Sequence, residues 1–449
     1  MTVPVLPGGL PLVGHALAFG ARPLRFLEAA RDHGDVVRFR LGGRPAYLVN
    51  TPELVREVLV DRQRVFAKGG ALFEIGVELM GNGLGMVNGD RHRRQRRLVR
   101  PAFTRAALGR STEVMLAKAG ELTDSWRPGQ ELDVNAQMLA FTTATLTAAL
   151  FHSPADPAMI ATFQECMPVA VRGVFRRIAL PIGWLHRLPT RQNRRYRRAL
   201  RRMHDSVDLV IADYRAHPRD RGDLFSTLLL ATDWETGATG ATGATMTDQE
   251  LHDEVMSLMV AGTETTAITL SWIFHLLGAH PEVERRLYAE VDQVLAGQPL
   301  RARHLRALEY TGQVVQEALR LHSPIWMLTR NAVTEVRLGT HQVPAGAELF
   351  FSPYALQRDP RTFPEPESFD PDRWLPGAVC PRAREAHLPF GAGARKCLGD
   401  SFATMEVVTV LASVASRWRL RPTPGHRTRP TAHATYFPAG LTMTVRPRG

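Results

Sequence analysis

The sequence predicts a mainly α-helical fold with small β-sheets, and three observations carry that reading. Most of the chain from Pro52 onward spaces its apolar residues at helical intervals. The stretch 247–280 keeps that spacing far enough, at 1.5 Å per residue, for a helix of roughly 50 Å. Strand signals are short by comparison, as in 36–41 and 46–50, which flank Gly42, Gly43 and Pro45 as a hairpin.

Taken in order, the chain opens on Pro4, Pro7, Gly8, Gly9, Pro11 and Gly14, an extended lead-in rather than a helix. After the hairpin, a helix is expected beyond Gly89, with His92 and Arg96 four residues apart on one side of it. Residues 237–245 repeat Gly-Ala-Thr three times, too small and polar to pack, and read as a flexible surface loop. Thr247 and Glu250 then form a Thr-x-x-Glu capping box that opens the long helix, and Gly278 and Pro281 stop it. A further helix, 310–322, ends before Pro324, and Arg330 falls in a strand beyond it. A glycine-rich turn at 390–399 runs straight into the last apolar helix, 402–418.

Hydrophobic residues at 44% and charged residues at 22% give an ordinary globular balance and exclude wholesale disorder. The net charge of +12 raises the question of nucleic acid. Yet the basic runs 92–97 and 191–202 lack interleaved aromatics or a groove-reading module, so a docking face for an acidic protein is the better reading. Nearly all the positive charge is arginine; lysine stands only at Lys68, Lys118 and Lys396. Three scattered cysteines, Cys166, Cys380 and Cys397, form no disulfide framework and point to a reducing, cytoplasmic setting. Residues 1–20 carry neither a signal peptide nor a membrane span.

The strongest chemical signal is Phe390-Gly-Ala-Gly393-Ala-Arg395-Lys-Cys397-Leu-Gly399. It presents a sulfur from a loop at a helix start, where backbone N–H groups and the helix dipole favour the thiolate. Gly391, Gly393 and Gly399 let the backbone fold tightly beneath a flat ligand, and Arg395 offers a cation to a carboxylate on that ligand. The spacing F-x-x-G-x-R-x-C-x-G should arise by chance in roughly one chain in ten thousand of this length. A lone buried cysteine in a turn does not explain it. A second signal is Ala261-Gly262-Thr263-Glu264-Thr265-Thr266, which puts helix-weakening residues in the middle of the long helix. Ala261 and Gly262 leave room for a ligand at the backbone, and the Thr265 hydroxyl is placed to break the hydrogen-bond ladder there. The third is Glu317-Ala-Leu-Arg320, whose two charges share a helix face.

The cysteine loop resembles the haem-ligand loop of cytochromes P450, with Ala394 where the family often has proline. Glu264 and Thr265 resemble that family's acid-alcohol pair, and Phe369-Asp-Pro-Asp-Arg373-Trp374 resembles its F-x-P-E-R-F segment. The resemblance covers nearly the whole chain. It implies one catalytic domain, 1–449, with the family's triangular-prism fold, and haem b held by Cys397 between the loop and the long helix. It implies that Thr265 steadies the reacting oxygen while Glu264 relays protons, and that Glu317, Arg320 and Arg373 lock the cysteine loop in place. His92, Arg96 and Arg330 would meet the haem propionates, beside Arg395. The reaction implied inserts one oxygen atom from dioxygen into an apolar substrate. No flavin or iron-sulfur motif is visible, so ferredoxin and a ferredoxin reductase would supply electrons, docking where Arg93, Arg97, Arg100 and Lys396 converge.

The segments that line the family's substrate pocket carry Leu72, Phe73, Ile75, Met80, Met167, Val171, Leu258, Met259, Ile325, Trp326, Met327 and Leu328, an apolar set suited to hydrocarbon. Segments 88–98 and 325–330 resemble bacterial members that oxidise cyclic sesquiterpenes, of the pentalenene and epi-isozizaene oxidase type. A sesquiterpene oxidised at an allylic or methyl carbon is therefore expected. A polyketide or fatty acid is the alternative substrate. A peroxide-using haem enzyme is the alternative chemistry, disfavoured by the intact acid-alcohol pair, and a non-enzymatic haem gas sensor would not need that pair.

Overall fold

The structure is a computed structural model that describes residues 3–448 apart from 43, 152–156, 180–182, 218–219 and 233–244. The low-complexity loop expected at 237–245 therefore lies, but for Thr245, outside the described residues.

The expected hairpin is present as β1 (Val36–Leu41) and β2 (Arg44–Val49), with Val36 opposite Val49. It turns at Gly42, whose φ of +62° lies in the left-handed region that glycine enters freely. Strands β3 (Phe66–Ala67), β4 (Leu328–Ala332) and β5 (Glu348–Phe351) extend it to a five-stranded sheet in the order β1, β2, β5, β4, β3. Only the β2 and β5 neighbours run parallel. Strands β6 (Arg429–Ala432) and β7 (Tyr436–Ala439) make a separate hairpin near the C-terminus.

Helices make up most of the rest. Those that frame the site are α1 (Ala71–Met80), α2 (Gly89–Val99), α3 (Val134–Leu150), α4 (Pro157–Ala179), α5 (Arg191–Ala216), α6 (Asp248–Ala279), α7 (Glu309–Leu321) and α8 (Asp400–Ala415). With 32 residues, α6 spans roughly 48 Å. Its start is the expected capping box: the Thr247 hydroxyl accepts from the Glu250 N–H, and the Glu250 carboxylate accepts from the Thr247 N–H.

Around α6 the apolar residues form two large cores. One packs α3, α6, α7 and α8 through Met138, Ile273, Val314 and Leu411. The other packs α4, α5 and α6 through Phe163, Met203 and Met256, and reaches Phe402 of α8. Each such side chain, fully buried, contributes roughly 1.5–3 kcal/mol against the chain's entropy.

That packing explains why the weak stretch of α6 stays helical. The hydroxyls of Thr263 and Thr265 donate to the carbonyls of Met259 and Ala261, each at 2.7 Å. They supplement the ladder, and the expected break at Thr265 does not occur. On the α3 side, the Thr142 hydroxyl lies 2.9 Å from the Thr263 carbonyl oxygen. Gly262 also differs from expectation. A Cβ there would lie 2.8 Å from Leu146 Cδ2, so its smallness serves the close approach of α3 rather than of a ligand.

Candidate active site

The loop before α8 is closed by the Cys397 N–H, which donates to the Phe390 carbonyl at 2.9 Å, while the Phe390 ring packs on the first core. Gly391 and Gly393 have φ of +67° and +69°. At Gly393 a Cβ would sit 2.0 Å from the Leu59 carbonyl oxygen, so only glycine fits. Gly399 is different: a Cβ would meet Phe103 at an ordinary 3.7 Å, and this residue acts instead through its N–H, which donates to the Cys397 sulfur.

Cys397 is exposed on one side, whereas Cys166 is buried in the second core. The protein packed around the Cys397 sulfur still pushes its thiol up, against the pull of the Gly399 N–H, Arg96 and Lys396. The helix start thus does not hold a thiolate by itself, as the sequence suggested; a bound metal cation is what removes such a proton.

Five basic side chains gather beside this loop. Burial and the neighbouring Arg330 and Arg395 bring Lys68 down to about 7. Burial and Lys68 bring His92 down to about 4, and burial with Arg395 brings Arg330 down to about 10. Arg96, lowered chiefly by burial, donates to the Lys396 carbonyl at 3.0 Å and so ties α2 to the cysteine loop. Arg395 donates to the Asn88 side chain at 2.7 Å, and that same oxygen accepts from the Lys68 backbone N–H. The Lys68 ammonium donates to the carbonyls of Leu84 and Gly85. Its carboxylate neighbour is Glu254, itself raised to about 7 by burial and so part-protonated at neutral pH. So much half-buried positive charge fits an anionic ligand edge, such as two carboxylates. The sequence reading named His92, Arg96, Arg330 and Arg395 but missed Lys68 and Asn88. The available signal was the rarity of lysine in an arginine-rich chain.

On α6, Ala261 is exposed and Thr265 half-buried, whereas Met259, Thr263 and Thr266 are buried. Glu264 lies on the flank of that face. Burial raises its carboxyl to about 7, and the Thr435 hydroxyl donates to it at 3.2 Å. Thr435, in the turn between β6 and β7, is a partner the sequence reading did not find.

Behind the loop, Glu317 and Arg320 of α7 are fully buried and paired twice at 2.8 Å. Arg373 adds an ion pair to Glu317 at 3.3 Å, and the Trp374 indole N–H donates to the same carboxylate. Arg320 also donates to the carbonyls of Gln357, Pro366 and Ser368. The Gln357 amide donates to the Leu319 and Arg320 carbonyls and accepts from the Leu388 N–H, which carries the network to the threshold of the cysteine loop.

Beside Glu264 opens a cavity of about 160 Å³, lined by Leu139 of α3, by Met167 and Val171 of α4, by Ala267 and Ile268 of α6, and by His433, Thr435 and Phe437. Of the expected pocket residues, Met167 and Val171 face it. The others do not. Met259 is fully buried in the second core, and Ile75, Met80 and Leu258 pack against that core. Trp326 is buried among Phe19 and the sheet, its indole N–H donating to the His433 carbonyl. Met327 and Leu328 pack on the sheet clusters, and Leu72, Phe73 and Ile325 are half-buried away from the cavity. Apolar character marks core and pocket alike, so it could not separate them.

Comparison with known proteins decides the family. The cytochrome P450 family model matches residues 4–447. The chain belongs to the cytochrome P450 family. This P450 is 44% identical to the cyclooctatin synthase of Streptomyces melanosporofaciens over 99% of the chain and 95% of that protein. It is 43% identical to the cyclooctat-9-en-7-ol 5-monooxygenase of the same organism, covering 100% of the chain and 96% of the relative. It is 40% identical to the pentalenene oxygenase of Streptomyces avermitilis, over 98% and 97%. Among solved structures, the haem domain of cytochrome P450DA superposes with a TM-score of 0.88 at 26% identity, covering 100% of this chain and 98% of that one. The expected prism fold is thereby present, and the protein is a monooxygenase with a haem-iron cofactor. No helix among the described residues is long and apolar enough to cross a membrane.

Proposed function

We propose that this P450 binds haem b through Cys397 and oxidises a cyclic terpene hydrocarbon, a sesquiterpene by preference, at an allylic or methyl carbon. The observation that supports the ligand assignment is the gathering of Lys68, His92, Arg96, Arg330 and Arg395 beside the open face of Cys397. Bound haem supplies the iron at which dioxygen is reduced and one oxygen atom is passed to substrate. The chain supplies the rest. Lys68, Arg96, Arg330 and Arg395 would pair with the propionates and neutral His92 would donate to them, the Gly399 N–H would steady the sulfur, and the Glu317–Arg320–Arg373 network keeps the loop rigid. Glu264, with a carboxyl near 7 and the Thr435 hydroxyl upon it, is part-protonated at neutral pH and would relay that proton toward the face of α6 that carries Thr265. Electrons come from a ferredoxin and its reductase, and the whole chain acts as one catalytic unit in the cytoplasm.

The substrate class rests on the apolar side chains Leu139, Met167, Val171, Ile268 and Phe437, which share the lining with Asn135 and Arg172, and on relatives whose names give pentalenene and an unsaturated cyclooctatin alcohol as substrates. Titration of the purified haem protein with sesquiterpenes, macrolides and fatty acids tests it. A low-spin to high-spin change at micromolar terpene is expected, and a change with a fatty acid or macrolide alone would overturn the substrate.

A further inference from the structure

The basic run 191–202 has no part in this chemistry, and the structure gives it a definite form. It is the first half of α5, capped by Thr190, and its buried stripe is Asn193, Tyr196, Ala199 and Met203. Seven of its residues, Arg191, Arg194, Arg195, Arg197, Arg198, Arg201 and Arg202, are arginine, and none is acidic. All but half-buried Arg197 are exposed, at helical intervals that make one solvent-facing stripe. Among the described residues the carboxylate paired with this stripe is Glu165, on Arg202 at 2.8 Å. Just ahead of the helix stand Trp184 and Leu188, 67% and 41% exposed, and exposed Arg187. A large indole in solvent next to a dense cationic stripe is the pattern of a surface that meets a lipid interface. The charge is drawn to anionic headgroups, and the ring settles among them.

The cavity shares α4 with this face, since Arg176 of α4 donates to the Asn193 side chain of α5 at 2.9 Å. Phe175 of α4 packs on the His433 ring at 5.0 Å, and His433 lines the cavity with Met167 and Val171 of the same helix. The Trp326 indole, bonded to the His433 carbonyl, also meets Phe19 of the N-terminal segment, whose Leu17 is 64% exposed. We propose that the face formed by Trp184, Leu188 and the arginine stripe of α5 docks on an anionic membrane surface. An acidic protein would satisfy the arginines but give no reason for the exposed indole, so the bilayer is the better occupant. Docking would present the cavity's edge to the phase in which a hydrocarbon substrate concentrates, a benefit that rests on the proposed substrate class; the docking itself does not.

Flotation of the haem-loaded, full-length protein with lipid vesicles tests this. Binding to phosphatidylcholine mixed with phosphatidylglycerol should exceed binding to phosphatidylcholine alone by about tenfold or more, and high salt should abolish the difference. The triple variant Arg194→Glu, Arg198→Glu, Arg201→Glu should lose that binding, and Trp184→Ser should weaken it several-fold, both keeping the parent's haem spectrum. Equal binding to the two vesicle types, or binding that survives the triple substitution, would overturn the proposal. So would retention on immobilised polyglutamate with no vesicle binding, which would mark the face as one for an acidic protein.

Discussion

Cys397 differs from the other two cysteines in what surrounds it. Cys166 is a buried core side chain and Cys380 caps a short surface helix, whereas Cys397 receives the Gly399 N–H beside a cluster of cations. Cys397→Ser should therefore abolish the carbon monoxide difference spectrum of a thiolate-ligated haem, and Cys166→Ser and Cys380→Ser should keep it; the reverse pattern would reject the ligand. Glu264 makes a pH prediction. Its carboxyl is raised to about 7, chiefly by burial, so the proton-donating form dominates below that pH and is lost above it. Coupling of electron consumption to product should fall as pH rises through about 7, and Glu264→Gln should lower coupling at every pH and flatten the profile. The Thr435 hydroxyl favours the ionised form, so removing it raises the carboxyl further. Thr435→Val should move the falling limb to higher pH, and a limb that stays put would separate Thr435 from proton delivery.

Among the elements, the cysteine loop is held from two sides by different means. On one side is steric fit: at Gly393 an added methyl collides with the Leu59 carbonyl, a backbone atom that cannot swing away. On the other is the buried pair of Glu317 and Arg320. Removing one partner strands the other charge in the interior, so Glu317→Ala should cost about 3–5 kcal/mol in urea unfolding and release haem, and Glu317→Gln should cost nearly as much because it too leaves Arg320 without a counter-charge. An unchanged unfolding midpoint for the alanine variant would show the network to be dispensable. These elements also mark how far the sequence could be read. Local signals were legible: the capping box of α6, the hairpin, the cysteine loop and the Glu317–Arg320 spacing stand where short-range patterns put them. Contacts between distant segments were not. Nothing near Gly262 announces Leu146, nothing near Glu264 announces Thr435, and nothing near Asn88 announces Arg395, because each pairing is made by tertiary packing. Pocket and core could not be told apart for a related reason, since Trp326 and Met259 are apolar whether they face substrate or core.

Across the whole molecule, buried titratable groups oppose one another in the dependence of stability on pH. His387 is lowered to about 3 by burial, and His322, stacked on Trp272 at 3.8 Å, is lowered well below its usual value. Both are neutral in the fold and charge on unfolding at acid pH. Their effect is to make stability rise with pH up to about 6.5, beyond which the unfolded histidines are neutral too. Buried carboxyls act the other way. Glu254, Glu264 and Glu348, raised to about 7, bind protons in the fold that the unfolded chain has already released, so stability falls with rising pH until about 7 and then levels. Glu406 extends that fall. It sits fully buried in the middle of α8, its carboxyl raised well above the usual range by burial, with only the Thr145 hydroxyl working against the shift. Glu406 keeps its proton in the fold past the pH at which the unfolded glutamate ionises and so works against stability as pH rises, whereas Lys68, lowered to about 7 in the fold, works for stability above that pH. Glu406→Gln keeps the shape and removes the ionisation. Thermal unfolding midpoints of the two haem-loaded proteins should therefore diverge from about pH 5 upward, the parent falling relative to the glutamine variant. Parallel curves over that range would mean that the Glu406 carboxyl is ionised in the folded protein.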